Sequence, residues 1–292
     1  MSIIDLIGNT PLVRLNKINP NPEVTIYGKL EGQNPGGSVK DRTALGLIGD
    51  AMDTGKLKKG DKIVEATSGN TGIAIAMIGK QLGLKITLIM PDSATPERLS
   101  TMKAYGATII LTPSEKTIEY SRDLALKMSK EDGYFILNQF DNPANPSVHY
   151  RTTGPEIWRD TDGKVTHFVS AMGTTGTIIG TSTFLKQKNP EIQIIGAQPT
   201  DGSRIPGIRR WSPEFLPAIF EESRVDRKID VSSEEATQMA RILAKEEGVM
   251  GGMSSGGACH IALKLASEIK SGTIVFIVCD RGDRYLSSDL YL

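Results

Sequence analysis

Short apolar runs alternate along this chain with stretches of amphipathic, 3.6-residue periodicity. The pattern predicts strands at Val24–Leu30, Lys62–Ala66, Ile86–Met90, Thr108–Leu111, Phe135–Leu137, Thr166–Ser170, Gln193–Ala197 and Thr273–Cys279. It predicts helices at Ser38–Thr54, Asn70–Leu82, Pro96–Tyr105, Ser114–Glu131, Pro146–Arg159, Gly176–Lys188, Ser233–Glu247 and Gly256–Ile269. Apolar strands separated by helices belong to parallel sheets covered on both faces, so the expected class is α/β. Asp141-Asn142-Pro143-Ala144-Asn145-Pro146 joins two prolines to turn-forming Asn and Asp. It is the expected boundary between an α/β half at 1–145 and a second at 146–292. The stretch Thr200–Val225, around Arg209-Arg210-Trp211, shows no period and reads as a long loop beside a site.

Composition narrows the chemistry. Lys and Arg total 34 and Asp and Glu total 34, a balance that points to neither nucleic acid nor an anionic membrane as partner. The longest apolar runs, such as Ile274 to Cys279, are too short to span a bilayer. Met1-Ser2-Ile3-Ile4-Asp5 lacks the basic region and apolar stretch of a signal peptide, so a cytoplasmic protein is expected. Two cysteines, Cys259 and Cys279, make neither a disulfide framework nor zinc spacing. His149, His167 and His260 have no nearby partner ligand, and no metal is expected. Many of the 30 glycines cluster beside Ser and Thr, a pattern suited to backbone that approaches a ligand closely.

Four segments carry candidate chemistry. Asn34-Pro35-Gly36-Gly37-Ser38-Val39-Lys40-Asp41-Arg42 places a lysine in a first helical turn, behind a glycine turn and a candidate Ser38 cap, with Asp41 three residues on. The positive end of the helix dipole favours the neutral amine there, the form that attacks an aldehyde. Glu65-Ala66-Thr67-Ser68-Gly69-Asn70-Thr71-Gly72 follows a strand and opens a helix, with more hydroxyls and amides than capping requires. Such a turn holds a carboxylate or another small anion. Gly173-Thr174-Thr175-Gly176-Thr177 repeats the arrangement as a phosphate cup without a cation. Gly252-Met253-Ser254-Ser255-Gly256 matches a nucleophile elbow, but the preceding strand is glycine-broken and no acid separates Ser254 from His260. Cys279 and the run Asp280-Arg281-Gly282-Asp283-Arg284 end an apolar strand, on the side where α/β sheets bind ligands.

A lysine poised for a C=N linkage together with a separate phosphate cup suggests pyridoxal phosphate. In this order the segments resemble the fold-type II pyridoxal-phosphate enzymes, in particular the cysteine synthases, and the likeness runs from Ile7-Gly8-Asn9-Thr10-Pro11-Leu12 to Asp283-Arg284-Tyr285-Leu286. Ser203–Trp211 and Cys279–Arg284 are more similar to the B than to the A isozymes of that family. The resemblance implies two α/β domains of tryptophan synthase β-like architecture with the cofactor in the cleft between them. It further implies a first strand packed on the second domain, and a homodimer. Lys40 would hold the cofactor covalently, Asn70 would bond its 3-hydroxyl oxygen, and Gly173, Thr174, Thr175, Gly176 and Thr177 would hold its phosphate. Ser254 would contact the pyridine nitrogen, and Thr67, Ser68, Thr71 and Gln139 would bind the substrate carboxylate. The implied reaction is β-replacement of the acetate of O-acetyl-L-serine by sulfide through an α-aminoacrylate, giving L-cysteine. Thiosulfate is the implied second donor, giving S-sulfocysteine, with Arg209, Arg210 and Cys279 supplying charge and room. An O-phosphoserine-dependent synthase, a cystathionine β-synthase-like enzyme and a catalytically silent binding homologue stand as alternatives.

Overall fold

The computed structural model describes residues 1–67 and 69–292, and the side chains among them apart from those of Thr117 and Glu119. The strands are β1 (Leu12–Arg14), β2 (Val24–Leu30), β3 (Lys62–Ala66), β4 (Lys85–Pro91), β5 (Thr108–Thr112), β6 (His167–Ala171), β7 (Gln193–Pro199), β8 (Arg227–Val231) and β9 (Gly272–Val278). The helices are α1 (Lys40–Asp53), α2 (Asn70–Gln81), α3 (Pro96–Ala104), α4 (Thr117–Asp132), α5 (Ala144–Arg151), α6 (Thr153–Asp160), α7 (Gly176–Lys188), α8 (Ser233–Glu247) and α9 (Met253–Glu268). Six strands make one sheet in the order β1-β2-β9-β6-β7-β8, and β3-β4-β5 make a second. Every pairing is parallel except β1 with β2. The larger sheet is closed by both ends of the chain, since β2 lies in register with β9 from Val24↔Gly272 to Leu30↔Val278.

Alternation along each strand sends neighbouring side chains to opposite faces. Ile274 and Phe276 of β9 join Leu243 of α8 and Ile261 and Leu265 of α9, while Val275 and Ile277 join Ile157 of α6 and Ile178 of α7. The smaller sheet buries Ile63, Leu88 and Met90 against Leu47 and Ile48 of α1 and Ile73 of α2. Both sheets are therefore covered on two faces, which is why their central strands are almost wholly apolar. Among the described residues no helix is long and apolar enough to cross a membrane, and no three His, Cys, Asp or Glu side chains cluster to hold a metal.

Four expectations need correction. The predicted strand at 135–137 is reduced to a single bridge, Ile63↔Phe135, because Leu137 N–H bonds the Glu65 carboxylate instead of strand backbone. The helix predicted at 146–159 is two helices. Pro155 cannot donate to, and clashes with, the carbonyl four residues back, so the chain breaks at Thr152 (φ −127°, ψ −69°). Helix α9 begins at Met253, three residues before the predicted start. Strands β1 and β8 escaped the pattern because β1 is very short and β8 (Arg-Lys-Ile-Asp-Val) is a charged edge.

A buried ion cluster ties α1 to both β2 and α6. Arg42 contacts Glu31 at 2.7 Å and Glu156 at 2.7 Å, Lys29 reaches Glu156 at 2.8 Å, and the Thr10 hydroxyl donates to Glu31 at 2.7 Å. Burial alone would raise the Glu156 carboxyl, but Arg42 and Lys29 beside it hold it down at about 2. Removing one member strands the others unpaired in the interior. Arg42→Ala is therefore expected to lower unfolding stability by about 3–5 kcal/mol, measured by denaturant titration.

Candidate active site

Strand carboxyl ends in parallel sheets leave backbone amides and loops facing one crevice. Here that crevice is a cleft of about 300 Å³ bordered by the ends of β3, β6 and β9 and by the loop around Gly207. It gathers Lys40, Thr67, Asn70, Thr71, Gln139, the 173–177 turn, Arg209, Ser254 and Cys279. Ser68 lies outside the described residues.

Lys40 is the first residue of α1, and its backbone N–H donates to Ser38 Oγ at 3.2 Å. Asp41 does not cap that turn. It reaches back to accept from Gly36 N–H, and burial pushes its carboxyl up to about 7. The turn itself is fixed by the far end of the chain. Val39 N–H donates to Cys279 O at 2.8 Å, and Ser38 pairs with Asp280. Gly37 holds φ +83°, and a Cβ there would meet the Arg284 guanidinium, so glycine alone suits the position. Burial lowers the Lys40 pKa, against the opposing influence of Cys279 and Asp280 nearby, so the neutral amine is favoured more than in water. Burial pushes the Cys279 thiol up to about 11, aided by Asp280 and opposed by Lys40, so it stands in the cleft as a neutral group.

The 173–177 turn shapes a cup at the amino end of α7. Thr175 adopts φ 71°, a left-handed conformation that costs a β-branched residue energy. A Cβ on Gly173 would strike Gly207 O, and one on Gly176 would strike Asn145. Thr175 Oγ1 is buried with no hydrogen-bond partner among the described residues. Beneath the cup, His149 Nε2 contacts Thr177 Oγ1 at 3.3 Å and Nδ1 contacts Thr153 Oγ1 at 2.8 Å. Burial drives the His149 pKa down to about 3, so this histidine is neutral and the cup carries no charge of its own.

Opposite the cup, Thr71 Oγ1 donates to Gln139 Oε1 at 2.9 Å. Asn70 Nδ2 donates to Asp280 Oδ2 at 2.7 Å. Ser254 lies in the first turn of α9 without a base beside it, since His260 faces Glu235 at 3.6 Å. The nucleophile-elbow reading is thereby set aside. Arg209 lines the cleft, its guanidinium 5.4 Å from the Trp211 ring and 5.9 Å from that of Phe140. Arg210 does not. It turns outward to pair with Asp230 and with Asp201 at 3.1 Å, because consecutive residues of an extended loop face opposite ways.

Two further arginines reach the cleft from helices that the motifs did not cover. Arg98 of α3 sits 5.3 Å from the Tyr285 ring, and Arg122 of α4 sits 5.5 Å from that of Phe140. Among the described residues none of Arg98, Arg122 and Arg209 forms an ion pair. Helical periodicity marks both only as polar positions, so no local signal could have singled them out.

The fold and this lysine-bearing cleft define a class. The chain belongs to the family described as pyridoxal-phosphate dependent enzymes, whose profile matches residues 3–280. It is similar to cysteine synthase B of Pseudomonas aeruginosa, with 53% identity over 290 residues, covering 99% of this chain and 97% of that protein. The crystal structure of a cysteine synthase from Entamoeba histolytica superposes with a TM-score of 0.94 at 41% identity, over 99% of this chain and 90% of that one. That of an O-ureido-L-serine synthase does so with a TM-score of 0.94 at 37% identity, over 99% and 94%.

Glu65 supports the loop that carries Gln139. Burial pushes its carboxyl up to about 7, against the N–H groups of Leu137 and Asn138 and the charge of Arg122. A raised acid binds its proton more tightly in the folded state, so it lowers stability as pH rises from the ordinary carboxylate range through 7. Glu65→Gln is expected to flatten the decline in unfolding free energy between about pH 5 and pH 8. Thermal melts across that range measure it.

Proposed function

We propose that this protein makes L-cysteine from O-acetyl-L-serine and sulfide by β-replacement, with acetate as the leaving group. The observation that carries the reading is a desolvated lysine amine in the same cleft as an uncharged cup whose buried Thr175 hydroxyl has no partner among the described residues. Such a hydroxyl, at a helix amino end, fits an acceptor-rich phosphate. The similarity to cysteine synthase B supports the choice of reaction.

When bound, pyridoxal phosphate supplies an electron-withdrawing system that labilises the Cα proton of an amino acid and a leaving group on its Cβ. In this reading the 173–177 turn would hold the cofactor phosphate, Asn70 would bond its 3-hydroxyl oxygen and the Lys40 amine would hold it covalently. The Lys40 amine would take the proton from the substrate Cα as general base. Burial lowers its pKa, which favours the neutral form that can accept a proton. Ser254 would offer the pyridine nitrogen a hydroxyl and not a carboxylate, so no acid of this chain would hold a proton on it there. Thr67, Thr71 and Gln139 orient the substrate carboxylate, the Thr71–Gln139 bond holding the amide in place. The same proposal includes a homodimer working in the cytoplasm.

A second sulfur donor follows from the arginines. Thiosulfate is a dianion, and a cleft lined by three guanidiniums that form no ion pair among the described residues suits it better than it suits sulfide. Arg209→Ala is expected to lower kcat/KM for thiosulfate about tenfold while changing that for sulfide less than about twofold. Arg210→Ala should leave the ratio of the two unchanged, and steady-state assays with both donors would measure it. Borohydride treatment of the holoenzyme should fix the cofactor to the peptide bearing Lys40, as read by mass analysis. Lys40→Ala should lose that label and at least about a hundredfold in rate.

A further inference from the structure

A side-chain amide presents an acceptor oxygen and two N–H donors, and nothing in its shape says which end faces which way. In this cleft the neighbours of Asn70 decide. Its Oδ1 accepts from Arg284 Nη1, and its Nδ2 donates to Asp280 Oδ2 at 2.7 Å. Turned over, the amide would set its N–H groups against a guanidinium and its oxygen against a carboxylate. Both contacts would then be repulsive in a half-buried setting, partly withdrawn from water.

Each jaw is itself anchored. Asp280 is 1% exposed, and it accepts from the Tyr285 hydroxyl at 2.7 Å and from Gly252 N–H at 3.2 Å. Gly252 is the residue from which α9, with Ser254, departs. Arg284 Nη2 donates to Gly36 O in the glycine turn that precedes Lys40. Three donors on one buried carboxylate exceed what a neutral amide in its place could accept. We propose that Asp280 and Arg284 are positioning residues that clamp the Asn70 amide from both sides, leaving one Nδ2–H directed to the cofactor. This rests on the reading that Asn70 holds the cofactor oxygen. The clamp also couples that contact to the lysine turn and to the start of α9, because both jaws touch those elements as well.

A double-mutant cycle on cofactor affinity tests it. Apoprotein of the wild type, Asn70→Ala, Asp280→Asn and the double variant is titrated with pyridoxal phosphate, and the absorption band of the bound cofactor is recorded. Asn70→Ala is expected to weaken binding about tenfold and Asp280→Asn about fivefold or more, each with a displaced band. The double variant should bind clearly more tightly than the product of the two losses predicts, because Asp280 acts in large part through Asn70. Losses that multiply in the double variant overturn the clamp, as a merely structural aspartate would give. Wild-type affinity and band in Asp280→Asn, with Asn70→Ala weakened, overturn the clamp and leave the role of Asn70 standing. Wild-type affinity in Asn70→Ala overturns that role and the clamp with it. Should Asp280→Asn fail to fold, Arg284→Lys keeps the charge and loses the fork. It is expected to weaken binding about fivefold, and unchanged affinity there overturns the proposal.

Discussion

The pairing of residues 37–39 with 279–281 is the contact on which the site depends. It joins the glycine turn before α1 to the end of β9, so that Val39 N–H meets Cys279 O and the Lys40 side chain enters the cleft. Behind it, the parallel register of β2 on β9 carries the chain's first strands into the sheet built by its last. Two residues beyond the lysine, Arg42 binds Glu31 and Glu156 in the interior and prevents the first turn of α1 from rotating. Buried ion pairs seldom stabilise more than an apolar core would, but they restrict which arrangement is allowed. Here the restriction falls beside the reactive amine.

The cleft is electrostatically divided. Its inner part is kept close to neutral: the amine of Lys40 is disfavoured as an ammonium, the Cys279 thiol stays protonated and His149 beneath the cup is uncharged. Burial is the leading cause in all three. The outer part carries Arg98, Arg122 and Arg209, each over an aromatic ring. A guanidinium on an aromatic face keeps its charge without a carboxylate partner, which leaves it available to an incoming anion. Asp280 also lines the cleft, and its carboxylate accepts hydrogen bonds from Asn70, Tyr285 and the start of α9.

Much of this was legible along the chain. Strands β2 and β3 and helices α7 and α8 match the predicted limits, because long periodic or continuously apolar segments announce themselves locally. The glycine turns, the hydroxyl-rich loop ends and the lysine among them were readable as chemistry, since each depends on neighbours within a few residues. Elements whose stability comes from elsewhere were not readable. The 135–137 segment loses its ladder to the Glu65 side chain, and β8 holds a sheet edge with charged residues facing water. Arg209 and Arg210 are indistinguishable as letters, yet one lines the cleft and the other binds Asp201 and Asp230.

The amino-acid sequence by itself determined the α/β alternation, the turns that bring backbone close to a ligand and the inventory of groups available for chemistry. These follow from periodicity and from the conformational range of each residue type. Only the tertiary structure decided which groups meet. The amide orientation of Asn70, the depressed basicity of Lys40 and the convergence of Arg98, Arg122 and Arg209 all arise between residues far apart in the chain. Burial and long-range hydrogen bonds exist only once the two ends of the chain have closed the same sheet.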